Sequence, residues 1–358
     1  MNEFENVVVE LLGAKYSTVD FSASLYNFAA QSTNEDAALV VSRRISFHPE
    51  GRYKKRAPRT TKPKAAAPAP PPVSVSAVVG NPLASSESVY LRPNGAEYHA
   101  RTWGENQDVL TLRKAQEATS DALFGRGGSP LFTLLYGAPG TGKTALVEAA
   151  FPKVYTILGT GDTEVADLIG GYVQTPSGGF EWVDGPLLRA AEEGAVLFID
   201  EIGLIDPKVL SIVYGAMDGR KEIVVTANPE RGAVQISEGF YVVAATNPNA
   251  PGVRLSEALL SRFTLQAEMT TDWGLSRTLG VPTAIVTCAQ NLSKKQDSGE
   301  VSWSPQMREL LAFRDVAKHF GDKFAIENLL ASAPEIDRPV VADVLSRVFG
   351  AEHKPARI

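Results

Sequence analysis

The sequence predicts an α/β fold, a parallel sheet with flanking helices followed by a small helical lid, with a partly disordered N-terminal region ahead of it. Three observations predict it. Apolar runs rich in Val, Ile, Leu and Phe recur from about Tyr90 onward, at 131–136, 154–158, 195–199 and 241–245, without the polar alternation of a half-exposed strand, as strands buried on both faces require. The intervals leave room for crossover helices such as Thr144 to Ala150 and Pro207 to Met217, which parallel connections need. A glycine-rich segment joins the first run to the first helix.

Ahead of the regular part, residues 1–50 form a small region with an apolar stretch at Val7–Val9 and Leu11–Leu12 and a possible helix through 37–41. Residues 51–88 have linker chemistry. Gly51 to Lys64 is basic without one acid, and Ala65 to Pro72 is an alanine-proline tract; charge repulsion and polyproline stiffness oppose packing. The Lys and Arg residues of 52–64 could bind nucleic acid by releasing phosphate counterions. That reading is not favoured, because only Tyr53 could stack on a base and the net charge of −6 attracts no polyanion.

The 358 residues, 44% hydrophobic and 21% charged, suit one large domain or two modest ones. A single cysteine, Cys288, excludes an intramolecular disulfide, and the four histidines lack metal-site spacing. The start Met-Asn-Glu-Phe-Glu-Asn is acidic where a signal peptide is basic, and no apolar run nears the ~20 residues that span a bilayer. The expectation is a cytoplasmic protein with no membrane partner.

The run at 131–136 leads into Gly137-Ala138-Pro139-Gly140-Thr141-Gly142-Lys143-Thr144, which opens a helix beginning with Ala145. Strand, glycine loop and helix in this order make a phosphate cradle. The glycines let backbone N–H groups converge where a side chain would intrude, and the helix amino end adds its dipole. Residues 137 to 145 are therefore the expected ATP-binding segment, with Lys143 bridging the β- and γ-phosphates and the Thr144 hydroxyl on Mg²⁺.

The run at 195–199 ends in Asp200-Glu201 and resembles a Walker B strand delivering carboxylates to the sheet's carboxyl edge, where such sheets bind ligands. Asp200 is expected to position Mg²⁺ and Glu201 to orient and polarise the attacking water. The run at 241–245 continues into Thr246-Asn247-Pro248, whose Asn247 amide could help hold that water.

With these motifs the sequence resembles the AAA+ ATPases, and within them the MoxR-type group that includes the CbbQ and NorQ activators. Further marks are Glu181-Trp182-Val183-Asp184-Gly185-Pro186-Leu187, Leu197 to Ile202 and Leu260-Ser261-Arg262-Phe263. The resemblance implies an α/β core over 89–268, a helical lid over 269–358, Mg-dependent ATP hydrolysis, a homo-hexameric ring and chaperone-like work on a protein client, often one with a von Willebrand A domain. It implies that Arg262 is an arginine finger reaching the neighbouring subunit's nucleotide. It implies two hairpins, one across Thr175-Pro176-Ser177-Gly178 and one between Gly219 and Phe240, the first facing the ring's pore. It implies a sensor arginine contacting the γ-phosphate from the helix that follows Trp303-Ser304-Pro305, with Arg308 the candidate and Arg314 the alternative; Gln306 stands where the group has an arginine.

Three functional readings follow. The favoured one is a ring ATPase that remodels a protein. The alternatives are a DNA-associated motor or loader using 52–64, and an assembly protein in which hydrolysis is incidental. The set Lys143, Asp200, Glu201, Asn247 and Arg262 weighs against the last.

Overall fold

The structure, a computed structural model, describes residues 45–47, 53–55 and 88–356. The expected helix through 37–41 and the alanine-proline tract lie outside the described residues, as does most of the basic run. Within residues 1–74, β1 (Ile45–Phe47) pairs antiparallel with β2 (Tyr53–Lys55), placing three residues of the basic run in a strand.

The second unit opens with β3 (Val89–Leu91) and β4 (Glu97–His99), an antiparallel hairpin. Its turn is closed by Arg92, whose N–H donates to Ala96 O, and by Gly95 at φ 78°, a conformation that favours glycine. A shorter hairpin, β5 (Thr102–Trp103) with β6 (Asn106–Gln107), leads into α1 (Asp108–Leu123).

There follow β7 (Thr133–Tyr136), α2 (Lys143–Ala150), β8 (Val154–Leu158), α3 (Val165–Ile169), β9 (Gly170–Gln174), β10 (Phe180–Asp184), α4 (Pro186–Glu192) and β11 (Val196–Asp200). A 3₁₀ turn at Ile202–Leu204 leads to α5 (Pro207–Met217), then β12 (Glu222–Val224), β13 (Ala233–Gln235), β14 (Tyr241–Thr246), α6 (Glu257–Leu260) and β15 (Leu265–Glu268).

Five strands form one parallel sheet in the order β15-β7-β14-β11-β8. The inner strand β14 has all six residues buried, and Val196 to Ile199 of β11 are buried too, which is why these runs read as unbroken apolar stretches. The fifth strand was not foreseen. Leu265 to Glu268 alternates half-buried and exposed residues at the sheet edge, a pattern too short and too polar to stand out.

Among the described residues five helices follow: α7 (Trp273–Thr278), α8 (Thr283–Asp297), α9 (Met307–Phe320), α10 (Asp322–Ser332) and α11 (Arg338–Phe349). They bury their own apolar cluster, running from Val281 to Leu345, apart from the cluster that extends from Tyr90 to Met269 around the sheet. Gln306 caps α9. Its side chain and that of Glu309 satisfy each other's backbone N–H, and its Oε1 accepts from Thr271 Oγ1 at 2.7 Å. This capping role accounts for a glutamine at that position.

Candidate functional site

The loop between β7 and α2 is held open by its glycines. Gly137, Gly140 and Gly142 have φ of 142°, 82° and 98°, values that L side chains resist. They are also crowded: a Cβ on Gly140 would stand 2.9 Å from Arg308 Cβ, and one on Gly142 2.9 Å from Arg101 Nη2. Gly137 N–H donates to Thr246 O, tying the loop to β14.

Lys143 is only 6% exposed. Its Nζ donates to Gly137 O at 2.8 Å and Ala138 O at 3.0 Å, folding the ammonium over the loop. Burial pushes its pKa below the usual lysine range; the Glu201 and Asp200 carboxylates oppose this, and the Arg308 charge adds to it. Such an ammonium gains from any phosphate placed beside it.

Across the cleft, β11 delivers Asp200 and Glu201. Thr144 Oγ1 donates to Asp200 Oδ2 at 2.9 Å, so the helix hydroxyl and the strand carboxylate meet. Glu201 has φ 52°, and among the described residues it alone is a non-glycine at positive φ, a conformation costing roughly 1–2 kcal/mol. Its Oε2 is buried without a partner. Gly159 makes room for this turn: its N–H donates to Asp200 O at 2.7 Å, and a Cβ there would lie 2.5 Å from Glu201 O.

These groups line one cleft of about 390 Å³. Pro139, Gly140, Gly142, Lys143, Thr144 and Ala145 form its floor, with Asp200 and Glu201 at one end. Leu275, Leu279, Met307 and Leu311 supply an apolar wall from α7 and α9, and Arg308 joins them. Arg92, Tyr98 and His99 of the β3–β4 hairpin, and Arg101 just after it, also line the cleft. A polar floor with an apolar wall of this size suits a nucleotide, triphosphate on the loop and base against the wall.

Thr144 and Asp200 offer hard oxygen donors suited to Mg²⁺. No group of three or more His, Cys, Asp or Glu that could hold a metal occurs among the described residues. The donor set fits an ion completed by phosphate and water oxygens, as Mg²⁺ prefers.

Not every expected residue reaches the cleft. Arg308 does, and its N–H donates to Gly140 O at 3.2 Å. Arg314 does not: it pairs with Asp315 and donates to Leu279 O. Asn247 lies at the end of β14, outside the lining, with its Oδ1 accepting from Asn249 N–H at 3.2 Å. Arg262 is turned elsewhere, forked onto Asp218 at 2.8 Å through Nε and Nη2, with its guanidinium 4.4 Å from the Tyr214 ring centre.

The sequence reading missed the apolar wall and the lining residues contributed by the β3–β4 hairpin and Arg101. The pairs Leu275/Leu279 and Met307/Leu311 have the i,i+4 spacing of a helix stripe and could have been found. Arg101 reaches Thr141 and Thr270 across long sequence separations, for which no local pattern exists.

The two inserted hairpins form as expected. β9 and β10 pair antiparallel with Tyr172 opposite Trp182, and Phe180 is 70% exposed and Tyr172 54%. β12 and β13 pair with Ile223 opposite Val234. Arg231, in the second hairpin's loop, pairs with Asp184 at the base of the first and with Glu192.

Residues 133–263 match the model of the AAA domain, dynein-related subfamily. The chain is 30% identical over 229 residues to the uncharacterized protein YojN of Bacillus subtilis (strain 168), covering 58% of this chain and 74% of that one. Uncharacterized proteins of Staphylococcus epidermidis and Staphylococcus aureus (strain USA300) are 34% and 36% identical over 140 residues, 36% of this chain. The chain spans about half the length of these staphylococcal relatives, 52% in both cases. A solved structure from Cytophaga hutchinsonii ATCC 33406 is 16% identical with a TM-score of 0.36, over 68% of this chain and 88% of that one, a likeness too distant to bear on function.

Proposed function

This chain belongs to the AAA family, dynein-related subfamily, and on that premise we propose that it is a MoxR-type ring ATPase that spends ATP hydrolysis on remodelling a protein partner in the cytoplasm. The observation that carries the reading is the meeting of Thr144 Oγ1 with Asp200 Oδ2 at 2.9 Å beside a buried, unpartnered Glu201 oxygen, all facing the glycine loop.

In this reading the backbone N–H groups of 137 to 145 and the Lys143 ammonium hold the phosphates, with the base against Leu275, Leu279, Met307 and Leu311. Thr144 and Asp200 would hold Mg²⁺, which would supply charge neutralisation on the phosphate oxygens. Glu201 orients a water and accepts its proton as the water oxygen bonds to the γ-phosphorus. The bond from that phosphorus to the bridging oxygen breaks, and ADP keeps the oxygen. Asn247 steadies the water once the loop at 247–249 adjusts, and Arg308 contacts the γ-phosphate from α9.

Arg262 completes a neighbour's site. Its attachment to Asp218 and Tyr214, away from its own cleft, leaves it free of its own nucleotide and supports a role in trans, and the resemblance to MoxR-type ATPases makes the ring a homo-hexamer. The core spans 89–268 and the helical lid 269–358, a division supported by the two separate apolar clusters. The exposed aromatics of the β9–β10 hairpin suit contact with a protein client, one with a von Willebrand A domain being the family's common choice.

Phosphate release measured against protein concentration tests this. The purified protein should release phosphate from ATP with a specific activity that rises with concentration as rings assemble, and Lys143→Ala should abolish it. No release would sink the hydrolysis, and a specific activity independent of concentration in a monomeric protein would sink the ring.

A further inference from the structure

Arg101 lines the nucleotide cleft. It follows the β3–β4 hairpin, and its guanidinium reaches over Gly142. Nη2 donates to Thr141 O at 2.7 Å, within the glycine loop. Nη1 donates to Thr270 O at 3.0 Å, in the segment that leads from β15 into α7. One planar cation thus ties the phosphate loop to the strand of chain on which the helical region hangs.

The arginine is itself anchored. Asp108 Oδ1 accepts from Arg101 N–H at 3.1 Å, and Asp108 N–H returns a bond to Arg101 O at 2.8 Å. Asp108 is buried and accepts from the Tyr98 hydroxyl at 2.5 Å. Burial pushes both the Asp108 carboxyl and the Tyr98 phenol upward, with the Tyr98 hydrogen bond pulling Asp108 back. Network members satisfied on several sides rigidify one another. Arg101 Nε, by contrast, is buried without an acceptor, a cost that an apolar residue at this position would avoid.

The grip on Thr141 O has a consequence for the loop. All peptides among the described residues are trans, and in a planar trans peptide the carbonyl and the following N–H point in opposite directions. Holding Thr141 O therefore fixes the direction of Gly142 N–H, one of the amides offered to phosphate. A glycine at φ 98° has no side-chain barrier to keep it there; Thr141 Oγ1 and Lys143 Nζ hold the loop from within through Ala138 O, and Arg101 adds a hold on the Thr141 carbonyl from outside it.

We propose that Arg101 is a positioning residue for nucleotide binding, presetting the glycine loop and coupling it to the segment at 270 that carries the helical region. The proposal rests on the reading of the cleft as an ATP site. A lysine could not replace it fully, because a point charge cannot reach two carbonyls with a fixed fork.

Equilibrium binding of a fluorescent ATP analogue, in a Glu201→Gln background that halts turnover, tests it. Arg101→Ala should weaken binding about tenfold or more, as loss of charge-assisted hydrogen bonds does, with Arg101→Lys intermediate and added guanidinium restoring part of the loss in Arg101→Ala. Tyr98→Phe, a gentler change that loosens Asp108, should weaken binding in the same direction by less. Binding within twofold of the parent in Arg101→Ala overturns the proposal. So does a loss that tracks a fall in melting temperature and yields to neither lysine nor guanidinium, since that marks a merely structural role. If the Glu201→Gln parent binds no nucleotide, the ATP-site reading itself fails; if the parent binds and Arg101→Ala binds equally, only the coupling fails.

Discussion

Replacing Arg262 by alanine separates a local contact from a role in a neighbouring subunit. Within its own chain the side chain is 25% exposed and its partner Asp218 45%, so the ion pair contributes only about 0.2–1 kcal/mol. The Tyr214 ring, 4.4 Å away, adds about 0.5–1 kcal/mol. The fold should therefore lose about 1–2 kcal/mol, a fall in melting temperature of roughly 2–8 °C at about 2–4 °C per kcal/mol for a domain of this size. If Arg262 stabilises charge on the transferred phosphoryl group of a neighbour, the rate should fall roughly 10³- to 10⁵-fold, about 4–7 kcal/mol on the barrier. The two magnitudes differ enough to be read apart by melting and phosphate release. Mixing sharpens the test. Arg262→Ala keeps an intact Glu201, and Glu201→Gln keeps an intact Arg262, so a random one-to-one ring restores about a quarter of its head-to-tail interfaces. Each variant alone should be nearly inactive and the mixture should recover. No recovery in rings shown to contain both, or near wild-type turnover by Arg262→Ala, would refute the trans role.

Other outcomes follow from the same geometry. Because burial holds Lys143 below the ordinary lysine range, ATP affinity should begin to fall at lower pH on the alkaline side than for a free lysine. Arg308→Ala removes a like charge and should move that limb upward in a binding titration. The same depression means that the unfolded chain binds more protons between the folded and unfolded pKa of Lys143, so this group's contribution to stability rises with pH across that window. Gly159→Ala, whose Cβ would meet Glu201 O at 2.5 Å and Ile205 Cγ1 at 2.8 Å, should cost about 1–3 kcal/mol by overpacking and lower turnover, as read by denaturant melting and phosphate release. Phe180→Ala, on an exposed hairpin outside the cleft, should leave basal phosphate release within twofold of wild type. Cys288 is buried and its thiol is pushed up to about 11, so it should resist a thiol reagent in the native protein and react on unfolding.

The core was legible where local chemistry sets structure. Positive-φ glycines before Lys143-Thr144 announce the loop, and the double burial of β11 and β14 writes continuous apolar runs into the sequence. Pro207 at the start of α5, with Asp206 accepting from Lys208 N–H, marks a helix end in the same way. What was not legible depends on distant contacts. Arg101 lies between two short hairpins with no motif around it, and only the folded chain brings it to Thr141 and Thr270. The edge strand β15 carries two polar residues in four, so nothing in its composition separates it from a loop. Gln306 serves the α9 cap, a pairing with Glu309 that its i,i+3 spacing allows, whereas that Arg308 and not Arg314 lies beside Gly140 depends on the packing of α9.

The most direct measurement concerns what nucleotide remains bound. Wild-type protein and Glu201→Gln are incubated with ATP and Mg²⁺, separated from free nucleotide, and their bound nucleotide is identified. A site in which Glu201 activates water yields ADP on the wild type and ATP on Glu201→Gln at similar occupancy. ADP on both would show that Glu201 does not carry hydrolysis, and an empty wild-type protein would show that the cleft between β7, β11 and α9 is not an ATP site.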